Sequence, residues 1–273
     1  MVVSAFDPTR RLSARGQPII RLQGVRKSYS TADGPVLAIA DATFSVPEGE
    51  FISILGPSGC GKSTLMMIIA GLRPASRGAV LIDETLVAGP QTDVGIVFQS
   101  DVLLDWRTAL DNVLLQVTIR KLPIDHYGDK ALELLHSVGL QGFEHRYPYE
   151  LSGGMRQRVS ICRALVHNPR ILLMDEPFGA LDALTREQMQ EDLQALWMTE
   201  RKTVVFITHS IPEAVFLSDR VVVMTHRPGQ VDGIVEVDLP RPRDEDTMTS
   251  SEFTQYVREI RHMFRLKGRT AHD

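Results

Sequence analysis

Cysteine is scarce: the 273-residue chain has two, Cys60 and Cys162. That is too few for a disulfide framework, which excludes the bridge-stapled secreted scaffolds and points to an intracellular setting. Long apolar runs are missing too. The longest, such as Leu65 to Ala70 and Val221 to Met224, stop far short of the roughly 18 residues that a membrane-spanning helix needs. The chain is therefore not expected to cross a bilayer by itself. Nor is there a basic excess. Thirty Lys and Arg stand against 34 Asp and Glu, a net charge of −4, so no global basic excess announces a nucleic-acid binder; a local basic patch stays open, but no nucleic-acid partner is expected. Residues 1–18 carry Arg10, Arg11 and Arg15 without a continuous apolar stretch, and read as a loose N-terminal extension and not a signal peptide. The cytoplasm is the expected compartment.

What is present is an ordinary globular composition. A 43% hydrophobic share over this length supports one large domain, or a domain with an inserted lobe. Ile19 to Leu22, Ala42 to Val46 and Phe51 to Leu55 alternate or run apolar between turn residues, and predict short strands of an antiparallel lobe. Residues 62–72 predict a helix ended by Gly71 and Pro74, followed by strands at 79–82 and 94–98. From about 100 to 165 apolar residues recur at helical spacing, as at Ala131, Leu134, Leu135 and Val138, and predict a helical insertion. Three nearly all-apolar runs follow, 171–174, 203–207 and 220–224, separated by helices expected at 183–200 and 211–217. Strands covered on both faces look like this, so the core is read as layered α/β. Residues 240–246 read as a charged linker. After it, Phe253, Tyr256, Val257, Ile260, Met263 and Phe264 share one face of a helix that Thr249 and Glu252 would cap. That helix is read as docked on the domain, with a regulatory or dimer contact as the alternative.

Residues 56–64 read Gly56-Pro57-Ser58-Gly59-Cys60-Gly61-Lys62-Ser63-Thr64 and satisfy G-x-x-x-x-G-K-[ST] between an apolar strand and a helix. With glycine near 7% of average usage, chance supplies such a match on the order of 1% of the time in a chain this long. The dinucleotide fingerprint is not met, because Thr64 stands where its third glycine belongs. Glycines let successive amides turn toward phosphate oxygens, and the helix N-terminus adds positive partial charge. Lys62 would reach the β and γ phosphates of ATP, and Ser63 would ligate Mg²⁺. A phosphate loop of this kind needs a second, carboxylate-bearing strand. Ile171 to Glu176 supplies one, with Asp175 placed to hold Mg²⁺ and Glu176 placed to activate the attacking water.

Leu151-Ser152-Gly153-Gly154-Met155-Arg156-Gln157-Arg158 lies between these motifs and just before a helix, and with it the sequence resembles the ATP-binding cassette ATPases. The resemblance implies an α/β P-loop NTPase core with an antiparallel β subdomain and an inserted α-helical subdomain. It also implies a homodimer of cassettes in which Ser152, Gly153 and Gly154 of one copy meet the γ phosphate held by the other. Gln99 is similar to the family's Q-loop glutamine, associated with Mg²⁺ and water. His209 is similar to its switch histidine, Tyr29 to the aromatic residue that stacks on adenine, and Ala180-Leu181-Asp182 to its D-loop. Each has a plainer reading when taken alone. Ser152 and Asp182 are also helix N-caps, Gln99 is also an exposed strand end, His209 an incidental loop residue and Tyr29 a single aromatic in a β lobe.

The resemblance covers residues 19–240, with 241–273 left as linker and C-terminal helix. A lone cassette without membrane spans implies an importer subunit at the cytoplasmic face of the cell membrane. Its partners would be integral-membrane permease subunits and, indirectly, an extracytoplasmic solute-binding protein. The chain is more narrowly similar to the nitrate, sulfonate and taurine import branch through Trp106-Arg107-Thr108, Glu176 to Asp182, Met224 to Gly229 and Leu239 to Arg243. Trp106 to Val113 lies where the family receives the permease's coupling helix. Departures from the family pattern are Met155 in the signature, Ser210 after the switch histidine, Asp105 near the coupling surface, and Asp83-Glu84, a hairpin turn without glycine that is expected to be longer or differently shaped. Two other functions remain open at this stage: a clamp acting on nucleic acid or ribosomes, and a cassette that regulates without hydrolysing ATP.

Overall fold

The computed structural model describes residues 17–179 and 181–268, so most of the expected N-terminal extension and Ala180 of the D-loop lie outside the described residues. In chain order the elements are β1 (Pro18–Thr31), β2 (Gly34–Pro47), β3 (Phe51–Leu55), α1 (Lys62–Ile69), β4 (Arg77–Ile82), β5 (Thr85–Leu86) and β6 (Val94–Val97). Then come α2 (Ala109–Val113), α3 (Leu115–Ile119), α4 (Ile124–Ser137), a 3₁₀ turn at Pro148–Glu150, α5 (Gly153–Leu165), β7 (Ile171–Asp175) and α6 (Ala183–Glu200). The chain closes with β8 (Thr203–Thr208), α7 (Ile211–Leu217), β9 (Arg220–Met224), β10 (Gly229–Glu236), α8 (Glu245–Thr249) and α9 (Ser251–Gly268). These form two compact units. One holds the described residues up to Gln91 together with those from Thr203 onward, the other Thr92–Lys202.

In the first unit the strands run β5-β4-β1-β2-β10-β9-β3-β8. Its centre is β3, all five of whose residues are buried, paired in parallel with β8 on one side and β9 on the other. A strand bounded on both edges and covered on both faces has no use for polar alternation, which is why Phe51-Ile52-Ser53-Ile54-Leu55 reads as a nearly continuous apolar run. β1 and β2 are longer than the short strands expected, at 14 residues each. They pair antiparallel out to Thr31↔Gly34, and their outer ends, 26–31 and 34–37, hold only exposed and half-buried positions. With little apolar contrast there, periodicity gives no strand signal. β10 is likewise not foreseen, because Asp232 and Gly233 interrupt its apolar run. The Asp83-Glu84 turn is tighter than expected. Ile82 pairs with Thr85, and both turn residues take positive φ, 47° and 59°, the conformation a two-residue hairpin loop demands even without glycine.

The expected linker at 240–246 is mostly exposed, as a linker should be, but two of its arginines turn inward as a clasp. Arg243 is 2% exposed and donates from Nη1 to the carbonyls of Val215 (2.7 Å), Phe216 (3.0 Å) and Ser218 (2.9 Å). Arg241 donates to the Leu217 carbonyl at 2.6 Å and to Asp219 at 3.1 Å. The last carbonyls of a helix have no intrahelical donor, and two guanidinium groups here supply donors at the end of α7. Burial pushes the Arg243 pKa down to about 10, with the nearby Arg241 charge adding to the effect. α9 packs on α7 through its buried Phe253 and Ile260, and is capped one residue from where expected. Ser250 Oγ, not Thr249, accepts the Phe253 amide at 3.1 Å, while the Thr249 hydroxyl donates back to the Asp246 carbonyl.

In the second unit β6 and β7 pair in parallel, from Val94↔Ile171 to Val97↔Met174. The expected helical stretch at 100–165 is four helices and a 3₁₀ turn. α4 buries Ala131, Leu134 and Leu135 against an α5 that carries Val159, Ile161, Cys162 and Leu165 inward. Complete burial raises the Cys162 pKa to about 12, which makes it an inert packing residue. Asn112 is wholly buried and folds the preceding loop. Its Nδ2 donates to the carbonyls of Leu104, Arg107 and Thr108, and its Oδ1 accepts the Leu104 amide at 2.8 Å. The loop so held presents Trp106 at 74% exposure.

His167, at 9% exposure, has an Nδ1 with no hydrogen-bond partner among the described residues, and burial, aided by the Arg120 charge, lowers its pKa to about 4. The unfolded chain protonates this imidazole near pH 6.5 and the folded chain does not, so stability falls as pH drops from about 6.5 to 4, by up to roughly 1.4 kcal/mol per pH unit. His167→Gln is expected to flatten that part of the profile, which urea unfolding across the window measures. Arg243→Met removes a donor shared by several carbonyls at the end of α7 and is expected to cost roughly 2–5 kcal/mol in the same assay. A loss within 0.5 kcal/mol, the range typical of surface substitutions, would show that the clasp does not hold the helix.

Candidate functional site

In the first unit, the phosphate-loop sequence runs from the end of β3 into α1. Gly61 is the N-cap of α1 with φ 102°, a conformation that residues with a side chain rarely adopt, and its carbonyl accepts the first helical bond from Leu65 at 2.8 Å. Lys62 is 5% exposed, and its Nζ donates to the carbonyls of Gly56 (2.8 Å) and Pro57 (3.2 Å). The ammonium is thus held over the first residues of its own loop, with Ser58 and Gly59 between. Ser63 and Thr64 follow in the first turn of the helix. Cys60 is buried at 1% exposure. A Cβ on Gly229, the first residue of β10, would lie 1.9 Å from the Cys60 carbonyl oxygen, so only glycine lets that strand back the loop this closely. Sequence reasoning did not connect Gly229 with the loop; the two meet across most of the chain.

Tyr29 comes to the same helix. Its hydroxyl lies 3.2 Å from Thr64 Oγ1, and its half-buried ring has Lys27 Nζ 5.2 Å and the Arg73 guanidinium 5.7 Å from the centroid. The ring face is electron-rich and already serves as a platform for planar or cationic groups. His209 is exposed at the end of β8, and Ser210 after it caps α7, its Oγ accepting the Glu213 amide at 3.4 Å. A serine hydroxyl thus occupies the capping role available to an acidic residue at that position.

In the second unit, Ser152 is the N-cap of α5, accepting the Met155 amide at 3.3 Å, and Gly153 and Gly154 form the first turn. A Cβ on Gly154 would approach Thr185 Cγ2 to 2.9 Å, so the start of α5 lies against the start of α6. α6 is capped by Asp182, whose Oδ1 accepts the Thr185 amide at 3.1 Å. Those hydrogen bonds from Thr185 hold the Asp182 carboxyl below the usual range, so it stays ionised at the helix N-terminus. The structure therefore brings Ser152–Gly154 and Asp182 together through Thr185. Asp175 is buried at the end of β7, 6% exposed. Glu176 follows in the left-handed region, φ 44°, with its carbonyl accepting the Gly179 amide at 3.1 Å. A glutamate held there carries local backbone strain, a feature that clusters at functional positions.

Gln99 is exposed beyond β6, and the residues after it are tied to α5. Arg156 pairs with Asp101 at 2.8 Å, and Arg163 donates to the carbonyls of Asp101 and Val102, both at 2.7 Å. Val102 has φ 48°, a strained conformation for a β-branched residue. These arginines had no signal in the sequence, because their partners lie some sixty positions away and are partly main-chain carbonyls.

Residues 39–179 match the family model described as ABC transporter. The taurine import ATP-binding protein TauB of Rhizobium johnstonii is 49% identical, over 83% of this chain and 88% of its own. The aliphatic sulfonates import ATP-binding protein SsuB of Bacillus cereus is 40% identical, over 91% and 97%. The nitrate transport protein NasD of Klebsiella oxytoca is 43% identical, over 89% and 94%. Among solved structures, a dimeric post-hydrolysis ATP-binding cassette bound to ADP and Pi superposes with a TM-score of 0.72 and 34% identity, covering 81% of this chain and all of that one. With a match of that span and identities of that size, the chain belongs to the ABC transporter family as an ATP-binding cassette and an ATPase.

Proposed function

We propose that this ATPase powers uptake of a small anionic or zwitterionic solute, nitrate, taurine or an aliphatic sulfonate, through separate permease subunits at the cytoplasmic face of the membrane. The observation that carries this reading is the naming of relatives at 40–49% identity, each matched over most of both chains, as import or transport proteins for those solutes. Two copies of the chain would close on two ATP molecules, with Ser152, Gly153 and Gly154 of one meeting the γ phosphate held by the other. The permease would seat on the loop that Asn112 folds, where Trp106 projects, and a solute-binding protein outside the membrane would deliver the cargo. No described helix is long and apolar enough to span a bilayer.

The described residues contain no cluster of three or more His, Cys, Asp or Glu able to hold a metal alone. Mg²⁺ needs no such cluster: it takes one or two carboxylates, for which the buried Asp175 at the end of β7 is suited, and completes its shell with water and phosphate oxygens. Ser63, Gln99 and Asp175 are the residues that would hold it, and it would neutralise charge on the phosphates. The amides of the 56–64 loop and Lys62 bind the phosphate chain, and Tyr29 stacks on the adenine. Glu176 orients the attacking water and takes its proton as the new bond to the γ phosphorus forms and the bond to the β-phosphate oxygen breaks. His209 contacts the γ phosphate and holds it in line.

Glu176→Gln keeps the shape and removes the base. Hydrolysis is expected to fall by roughly 10²- to 10⁴-fold while ATP binding persists, read by phosphate release beside nucleotide-binding fluorescence. Near-normal turnover would remove Glu176 from that role. The cargo is tested with the cassette, its permease and the binding protein in vesicles. Binding protein loaded with taurine, an alkanesulfonate or nitrate should stimulate ATP turnover, whereas co-purification with RNA or ribosomes and indifference to all three solutes would overturn the importer reading.

A further inference from the structure

His209 lies between two residues that the fold pins. Thr208, 1% exposed at the end of β8, accepts the Ser210 amide on Oγ1 at 2.9 Å and donates from the same hydroxyl to Glu213 Oε2 at 2.6 Å. Ser210 Oγ accepts the Glu213 amide. Glu213 therefore closes a ring of hydrogen bonds that begins on one side of His209 and ends on the other, while His209 itself stays exposed. The Glu213 side chain is 8% exposed, and a carboxylate taken that far from water is tolerated only where hydrogen bonds compensate it. An O–H···O contact of 2.6 Å to a carboxylate is of the short, charge-assisted kind, which fixes geometry more tightly than a neutral bond. No step assigned above uses this carboxylate.

We infer that Glu213 is a positioning residue for ATP hydrolysis. Through Thr208 and Ser210 it sets the backbone on both sides of His209 and so aims the imidazole, without meeting the nucleotide. The inference rests on the reading of His209 as the group that contacts the γ phosphate. Displacing a catalytic group by an ångström costs on the order of 10²-fold in rate, so loss of the brace is expected to lower kcat roughly ten- to a hundredfold, with the KM for ATP nearly unchanged.

The test is a double-mutant cycle on the full chain, with ATP turnover and ATP binding measured for Glu213→Ala, Glu213→Gln, His209→Ala and the pair His209→Ala/Glu213→Ala. Glu213→Ala should lower kcat and spare ATP binding. Glu213→Gln, which keeps an acceptor oxygen for the Thr208 hydroxyl, should recover most of the loss. In the His209→Ala background Glu213→Ala should cost little more, because residues that act as one unit are not additive. Losses that multiply in the pair, or a weakened ATP affinity in Glu213→Ala, would reduce Glu213 to a structural residue. A His209→Ala variant with unimpaired turnover would instead overturn the reading of His209, and this inference with it. If Glu213→Ala does not fold, Thr208→Val removes only the bridging hydroxyl at nearly constant shape and carries the same cycle with the same outcomes.

Discussion

The first turn of an α-helix carries amides with no acceptor inside the helix, and the last turn carries carbonyls with no donor. In this chain some of those groups are taken up by a side-chain cap and others are not. The 56–64 loop leads into α1, whose N-cap is a glycine with no side chain to compete for those amides. Elsewhere the caps are polar side chains: Ser152 on α5, Asp182 on α6 and Ser210 on α7. The contrast has a chemical sense. The glycine puts no side chain over the first amides of α1, while Ser152, Asp182 and Ser210 each take up one amide of their own helix and leave the other first-turn amides without an intrahelical acceptor.

Rigidity under these helix ends comes from the parallel strands. β3 and β8 are buried at every residue, and their strand ends bear the loop at 56 and His209. Close-packed interiors do not deform continuously, so groups mounted on such strands keep their relative positions within each unit. Against that background, the positive φ at Glu176 and Val102 marks two places where the backbone is bent away from its easy path. Glu176 directly follows the buried β7, and Val102 lies between Gln99 and Trp106 in the segment after β6. The Val102 distortion is fastened to α5 through Arg163, so the segment beyond Gln99 and the helix begun by Ser152 are tied by main-chain hydrogen bonds as well as by an ion pair.

Much of this was legible in the sequence wherever the signal was local. The 56–64 run, the strand ending at Asp175 and the helices at 183–200 and 211–217 each declare themselves within about twenty residues, by spacing, apolar runs and caps. What stayed hidden depends on partners far away. Arg243 reads as a solvated linker charge and is among the largest fully buried side chains, because the carbonyls that satisfy it belong to a helix 25 to 28 positions earlier. β10 hides behind Asp232 and Gly233, and the outer ends of β1 and β2 hide because neither face there is dry. The Asp83-Glu84 turn was misjudged for another reason: side-chain-bearing residues disfavour positive φ without forbidding it, and the register from Ile82 to Thr85 imposes it.

The backing of the loop at 56–64 by Gly229, and of β3 by strands from beyond residue 203, also fixes an order of events in synthesis. A ribosome makes the phosphate-loop sequence early, but both neighbours of β3 and the glycine behind Cys60 are encoded some 150 residues later. Until they emerge, the nascent chain carries Phe51 to Leu55 and Leu65 to Ala70 as apolar segments without their native cover. Long-range parallel pairing of this sort is slow, and leaves such segments open to chaperones and to aggregation. A message truncated before codon 203 therefore yields the loop's sequence without its shape.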